Sequence, residues 1–302
     1  MRVQATIVIP TYNRASMLDR ALRSALAQSC DDYEVVVVDD CSTDSTDEVI
    51  AKYASDPKMV YHRHAQNVGM VRNHGEGVGL ARGRYVTFVA DDDEVGPDFL
   101  ARRVAVFEAD DSLVAVYSAY AIRRRDGSIA ANRVRTPAEF QGFDLLRAVI
   151  THDWFIGGAL YRRDAVAETW PELTEDGNAF DFGLNLRLAL RPGARAARLS
   201  FDDYFMTEHE GQYSNEERIY ADHQRVLAAV ARRKMRWTTA LVLRREIANS
   251  LTVWGRALAC QGREREARER FLRAILHDPL AHWPWRQLAR SMLWPFGLAR
   301  FS

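Results

Sequence analysis

Three short apolar runs, each ending abruptly in polar or acidic residues, constrain this chain more than any other feature. Residues 5–10 (ATIVIP) break into Thr11-Tyr12-Asn13-Arg14, residues 34–38 into Asp39-Asp40, and residues 85–90 into Asp91-Asp92-Asp93. A continuous β-branched run bounded in this way is the pattern of a strand buried on both faces. The intervening segments have helical spacing. Ser16 reads as an N-cap with Asp19 three residues on, and Leu18, Ala21, Leu22, Ala25 and Leu26 fall on one side. A polar turn, Cys41-Ser42-Thr43, leads into a helix through Val49, Ile50 and Tyr53; residues 60–62 form a weaker strand, and Gly69 opens a helical stretch to about Ala81. Strands alternating with helices predict an α/β fold with a mainly parallel central sheet and helices on both faces. Sheets of that kind hold ligands at the carboxyl ends of their strands, where the three polar breaks lie.

The pattern continues through a helix over 98–109, a strand over 113–120, a charged hairpin turn at 123–128 and a short helix over 140–149. Gly157-Gly158 then precedes a strand-like 159–161, and a further helix covers about 182–190. Beyond Glu216 nearly everything has helical spacing. Charge divides the chain at the same place: residues 1–215 carry 24 Lys/Arg against 33 Asp/Glu, and residues 216–302 carry 17 against 8, with five of the seven tryptophans. This predicts one α/β domain over 1–215 and a helical, basic C-terminal region over 216–302.

Cys30, Cys41 and Cys260 have no paired spacing, which points to an unbridged protein of a reducing compartment. No apolar run approaches the roughly 18 residues of a spanning helix, and the N-terminus lacks a signal-peptide layout. A cytoplasmic protein is expected. The end of the chain mixes Trp283, Trp285, Leu288, Leu293, Trp294 and Phe296 with Arg286, Arg290 and Arg300. Two readings stand for it: contact with the inner face of the membrane as a peripheral protein, or packing and homo-oligomerisation. Basic residues interleaved with acids, and the absence of a recognition motif, argue against nucleic acid.

Three successive aspartates after an apolar strand repel one another unless a cation or solvent relieves them, so Asp91-Asp92-Asp93 reads as a divalent-metal site or as a solvated acidic turn. Mn²⁺ and Mg²⁺ both suit it. Asp39 fits a hydrogen-bond acceptor for a ribose or base, or a cap for the next helix. Tyr12 can pack on a base and Arg14 can offset phosphate charge, while Arg72 opens a helix after a glycine turn. Neither GxGxxG nor GxxxxGK[ST] is present, which disfavours a nicotinamide or flavin site and a P-loop ATPase.

Taken together, IVIPTYNR (7–14), VVVVDDCSTDST (35–46), NVGMVRN (67–73) and VTFVADDDEV (86–95) resemble the family 2 glycosyltransferases of GT-A fold. The resemblance implies an inverting transfer of a sugar from a nucleoside-diphosphate sugar, expected to be UDP-linked, to a hydroxyl of a glycan, lipid-linked or small-molecule acceptor. It implies a nucleotide site at Pro10, Thr11, Tyr12, Arg14, Asp39, Arg72, Asp91 and Asp92. Asp91 and Asp93 match the two ends of the family's DxD, with Asp92 as its variable middle, and His209 matches a histidine that completes the metal site. Gly157 and Gly158 match a glycine pair near the donor sugar, and His152, Asp153 and Trp154 would line the acceptor pocket. The catalytic base falls on Asp181, where Phe180 replaces the usual glutamate; the literal pair Glu175-Asp176 makes Asp176 the alternative. Two other classes stay open at this stage, a metal-dependent nucleotidyltransferase and a non-catalytic nucleotide-sugar-binding protein of the same fold.

Overall fold

The computed structural model describes residues 3–131, 136–150, 156–209, 216–232 and 237–293. The chain forms two compact units, residues 1–213 and 214–302.

The first unit opens with β1 (Ala5–Thr11), α1 (Ala15–Leu26), β2 (Tyr33–Asp39), α2 (Thr46–Ala51), β3 (Met59–Arg63), α3 (Met70–Leu80) and β4 (Tyr85–Phe88). It continues through β5 (Glu94–Val95), α4 (Phe99–Ala109), β6 (Leu113–Tyr117), β7 (Ala121–Arg123), β8 (Ile129–Ala131), β9 (Ala138–Gln141), α5 (Gly142–Ile150) and β10 (Ala159–Arg162). α6 (Arg163–Thr169), α7 (Phe180–Ala189), β11 (Arg195–Arg198) and β12 (Tyr204–Thr207) complete it. The large sheet has the order β3-β2-β1-β4-β10-β6-β11-β9. β3, β2, β1 and β4 run parallel, as do β6 and β11, while β10 is inserted antiparallel between β4 and β6.

β1 and β2 are buried at every position. Each fully buried Val or Ile there contributes roughly 1.5–3 kcal/mol, which explains why these strands read so plainly in the sequence. α1 covers them with Leu18, Ala21, Leu22 and Ala25. Its start differs from the expectation: Ser16 does not cap it, and the Ala15 N–H instead donates to Asp44 Oδ2 at 2.9 Å, from the loop before α2.

A second sheet, β5-β12-β7-β8, was not visible in the sequence. The charged segment 123–128 is the β7–β8 hairpin turn, closed by the Arg124 N–H to Ser128 O bond, with Gly127 at φ 82°. β12 pairs with β5, the two residues directly after the acidic run. That pairing brings a strand from more than a hundred residues downstream to the foot of the Asp91–Asp93 turn.

In the second unit, α8 (Glu216–Ala231), α9 (Trp237–Cys260), α10 (Glu264–His277) and α11 (His282–Leu293) follow one another. α9 and α10 reverse at Gly262, which has a left-handed φ of 78° that favours glycine. They approach so closely that a Cβ on Gly255 would meet the Phe271 ring at 2.5 Å. Among the described residues no helix is long and apolar enough to cross a membrane.

Candidate active site

A cleft of about 400 Å³ opens where the ends of β1 and β4 meet the start of α3. Pro10, Thr11, Tyr12 and Arg14 form one side of it, Gly69, Met70, Asn73 and His74 another, and Asp40, Asn67, Ala90 and Asp91 complete the wall. The loop after β1 turns through Asn13 at φ 53°, a left-handed conformation that asparagine tolerates better than most residues. Its side-chain oxygen accepts from the Thr43 N–H at 2.7 Å, and its own N–H donates to Ser42 Oγ at 2.9 Å, so the loops after β1 and β2 are tied together.

The acidic run is held by named donors. Thr11 Oγ1 donates to Asp91 Oδ2 at 2.8 Å. Arg14 Nη1 donates to Asp91 Oδ1 at 3.0 Å and to Asp92 Oδ2 at 2.6 Å. His209 Nε2 stands 3.0 Å from the same Asp92 oxygen. Asp93 faces the opposite way: Tyr204 Oη donates to its Oδ2 at 2.7 Å and the Thr207 N–H to its Oδ1 at 2.9 Å. Burial, aided by the neighbouring Asp92 charge, pushes Asp93 up to about 7. Burial and Asp92 likewise raise Asp91 to about 6, against the opposing pull of Arg14. Raised pKa values mean that ionising these carboxyls together is costly, a cost that a bound cation would offset.

Asp91 and Asp93, the expected metal pair, sit in one turn with different partners. Both Asp93 oxygens are taken by donors of β12, whereas Asp92, expected to be the interchangeable middle residue, is the carboxylate beside Arg14 and His209. The physical reason is the β5–β12 pairing, which supplies Asp93 with buried donors. His209 Nδ1 is buried and, among the described residues, has no hydrogen-bond partner. Among the described residues no group of three or more His, Cys, Asp or Glu side chains is placed to hold a metal ion. A cation bound beside Asp91, Asp92 and His209 would need substrate oxygens to complete its shell, as phosphates commonly do for Mg²⁺.

The other expected positions divide. Asp39 is fully buried and satisfied by the Ser42 N–H at 2.8 Å and the Tyr61 hydroxyl at 2.9 Å. Its neighbour Asp40 lines the cleft and accepts from the N–H groups of Val68 and Gly69 at 2.6 and 3.0 Å, fixing the entry to α3. Asp40 is not among the expected nucleotide-site residues, although its place beside Asp39 at the end of β2 is the signal for it. Arg72 is exposed on α3 and does not line the cleft. Gly157 is required by packing, since a Cβ there would meet the Tyr204 ring at 2.4 Å. Gly158 O accepts from the fully buried Arg103, which also pairs with Asp203 at 2.8 Å. His152, Asp153 and Trp154 lie outside the described residues.

The two candidate bases have different surroundings. Asp176 is buried and clamped by both terminal nitrogens of Arg187, one at 3.0 Å. Gly183 is what leaves room for this clamp, because a Cβ there would fall 2.0 Å from Asp176 Oδ2. Asp181 lies in the first turn of α7, where its Oδ1 accepts from the Phe182 N–H at 2.7 Å, and burial raises its pKa. A carboxylate locked on a guanidinium is a poor proton acceptor; one raised by burial is a better one.

Residues 6–170 match the family model described as Glycosyl transferase family 2. The succinoglycan biosynthesis protein ExoO of Rhizobium meliloti (strain 1021) is 40% identical over 111 residues, covering 37% of this chain and 32% of that protein. An uncharacterized glycosyltransferase of Escherichia coli (strain K12), YibD, is 30% identical over 172 residues, covering 54% of this chain and 49% of that protein. The chain thus spans less than half the length of these curated relatives. Among solved structures, S. aureus TarS 1-349 in complex with UDP-GlcNAc superposes with a TM-score of 0.70 at 18% identity, over 97% of this chain and 92% of that one. At that identity the likeness shows a shared fold, a GT-A-like α/β sheet with a helical C-terminal region. With the family model spanning residues 6–170, the chain belongs to glycosyl transferase family 2.

Proposed function

We propose that the protein is an inverting glycosyltransferase that moves a sugar from a nucleoside-diphosphate sugar, with uridine as the nucleoside, to an acceptor hydroxyl. The observation that carries this reading is the cleft lined by Thr11, Arg14 and Asp91 at the carboxyl end of β4, with Asp92 joined to it through Arg14 and contacted by His209. In this reading Tyr12, 47% exposed at the cleft, packs on the base, and Asp40 and Asn67 orient the nucleoside.

Asp92 and His209, with Asp91, would hold Mn²⁺ or Mg²⁺ together with the donor's diphosphate. The cation's contribution when bound is to offset negative charge on the departing diphosphate. Arg14 keeps Asp91 and Asp92 in position for that task. Asp181 accepts the proton of the acceptor hydroxyl as that oxygen forms a bond to the anomeric carbon. The bond from that carbon to the diphosphate oxygen breaks, and the electron pair leaves with the nucleoside diphosphate. Attack opposite the leaving group inverts the anomeric centre. The acceptor is a glycan, a lipid-linked saccharide or a hydroxylated small molecule.

The test is release of nucleoside diphosphate from a panel of sugar nucleotides with and without Mn²⁺, in the presence of hydroxylated acceptors. Metal-dependent release with formation of an inverted glycoside is the expected result. Transfer of a nucleotidyl group with loss of pyrophosphate would sink the reading.

For the second unit, we infer contact with an anionic membrane surface. Leu276 and Leu280, exposed at 73% and 96%, and the exposed Trp285 lie around the turn from α10 to α11, with Arg273 and Arg286 exposed on the same two helices. Trp285 Nε1 donates to Pro279 O at 3.0 Å, which gathers the indole onto that turn. Exposed apolar groups beside cations suit an interface rich in acidic lipid.

A further inference from the structure

We infer that His74 is a specificity-determining residue that accepts a hydrogen bond from a hydroxyl group on the donor's sugar. This rests on the reading of the cleft as a sugar-nucleotide site. His74 lines the cleft on the same face of α3 as Met70 and Asn73. Its Nδ1 lies 2.8 Å from the Met70 carbonyl oxygen. A carbonyl oxygen only accepts, so Nδ1 carries the hydrogen. In a neutral ring the other nitrogen, Nε2, is then a pure acceptor.

The ring stays neutral because its burial pulls the pKa down to about 4. Among the described residues no second hydrogen bond reaches the imidazole, so the Nε2 lone pair is left for a ligand. The ring is also held in place. Phe180 meets it edge-on with centroids 4.7 Å apart, and Phe88 lies at 5.7 Å. Phe180 directly precedes Asp181, so the imidazole stands beside the helix start that carries the proposed base. The transferring sugar must reach that part of the site.

A fixed acceptor that cannot become a donor at neutral pH discriminates strongly. A sugar that offers a hydroxyl there gains a hydrogen bond, and one that lacks it leaves a partly buried lone pair unpaired. The mechanism described above does not use His74, and no motif in the sequence pointed to it.

The experiment compares wild type, His74→Phe and His74→Gln. Wild type is first screened with UDP-glucose, UDP-galactose and UDP-N-acetylglucosamine in Mn²⁺, and the best donor is carried forward with its monodeoxy analogues. Calorimetry reads the Kd for UDP, and turnover reads kcat/KM for each donor. The expected result is a UDP affinity within about twofold of wild type for His74→Phe, with kcat/KM for the parent donor lowered about tenfold, the effect of one lost hydrogen bond. His74→Gln, which keeps a side-chain acceptor, should recover part of that loss. One monodeoxy donor should be about tenfold worse than its parent on wild type and equal to it on His74→Phe. Equal weakening of UDP and UDP-sugar, or a deoxy series that both proteins read alike, would overturn the inference. Wild type consuming no sugar nucleotide would instead overturn the proposed function itself. A melting curve shows whether His74→Phe is folded; if it is not, His74→Gln against the deoxy series carries the same test.

Discussion

The Tyr204 hydroxyl donates to Asp93 Oδ2 at 2.7 Å and accepts from the Ala90 N–H at 3.3 Å, so one side chain spans the start and the end of the acidic turn. Its ring also fills the space that Gly157 leaves vacant. The turn and the glycine pair are therefore braced by the same residue. Replacing Tyr204 with Phe keeps the ring and removes the hydroxyl, leaving one oxygen of the buried Asp93 without its donor. The expected loss of stability is about 1–3 kcal/mol, read by denaturant unfolding, with a rise in donor KM as the turn loosens. An unfolding curve that superposes on wild type would mean that the hydroxyl holds nothing in place.

Asp92 and Asp93 should separate by readout. Asp92 sits between Arg14 and His209, so Asp92→Asn is expected to abolish the Mn²⁺ dependence of UDP binding in calorimetry while stability changes little. Asp93→Asn should do the reverse. An amide there turns a donor group toward the Thr207 N–H or the Tyr204 hydroxyl, and thermal unfolding should drop by several degrees. Loss of metal-assisted binding in Asp93→Asn with unchanged stability would restore Asp93 as the metal contact.

β1, β2 and β4 were legible because each is an apolar run that stops at a polar group, and the half-buried β3 was the weaker signal beside them. β5 was not, because a strand of two residues shows no period to detect, and β7 and β8 showed only through the charged turn between them. For the same reason the antiparallel insertion of β10 could not be read from four residues, ALYR. Three identical aspartates in a row carry no direction. Which of them faces inward is decided by Tyr204 and Thr207, 111 and 114 residues farther on. Ser16 failed as a cap for a related reason, since Asp44 reaches the Ala15 N–H from another loop. Local spacing located the strand ends, and long-range pairing decided which carboxylate meets β12.

Asp181 and Asp176 make opposite predictions. Asp181→Asn should retain UDP binding and lower turnover by about 10²–10⁴, the usual worth of a placed base. Asp176→Asn breaks a buried pair with Arg187, so it should lower stability first, by about 3–5 kcal/mol if the guanidinium is left uncompensated. The pH profile adds a sign. A base works only when deprotonated, and burial raises the Asp181 pKa, so turnover should fall with acid at a midpoint above the ordinary carboxylate value. An Asp181→Asn enzyme with wild-type turnover would remove Asp181 from the mechanism.

Cys41 adopts φ 66° in the loop after β2, a left-handed conformation that disfavours a side chain. Its neighbours Asp40 and Ser42 are buried and hydrogen-bonded, so the loop cannot relax to relieve the strain. Cys41→Gly removes the Cβ clash and should stabilise the protein by about 1 kcal/mol, after the entropy cost of glycine is set against it. Cys41→Val, with a branched Cβ, should destabilise it. Melting temperatures in reducing buffer decide the sign, and a Cys41→Gly protein that melts lower than wild type would show that the loop carries no strain.

The turn from α10 to α11 should bind lipid by charge and apolar insertion together. Residues 216–302 carry nine more basic than acidic side chains, 17 against 8, and Leu280 is 96% exposed. Floating the full chain with vesicles of phosphatidylglycerol and phosphatidylcholine separates these contributions. Binding should rise with the anionic fraction and fall with salt over the range in which the Debye length shrinks from about 10 to 3 Å. Leu280→Glu with Trp285→Glu places acids where the apolar groups would enter the interface, and should abolish flotation without altering nucleotide binding. If the wild-type chain stays at the bottom of the gradient and sediments as an oligomer that the same double variant dissociates, the exposed leucines and tryptophan serve a second copy of the chain and the membrane reading fails.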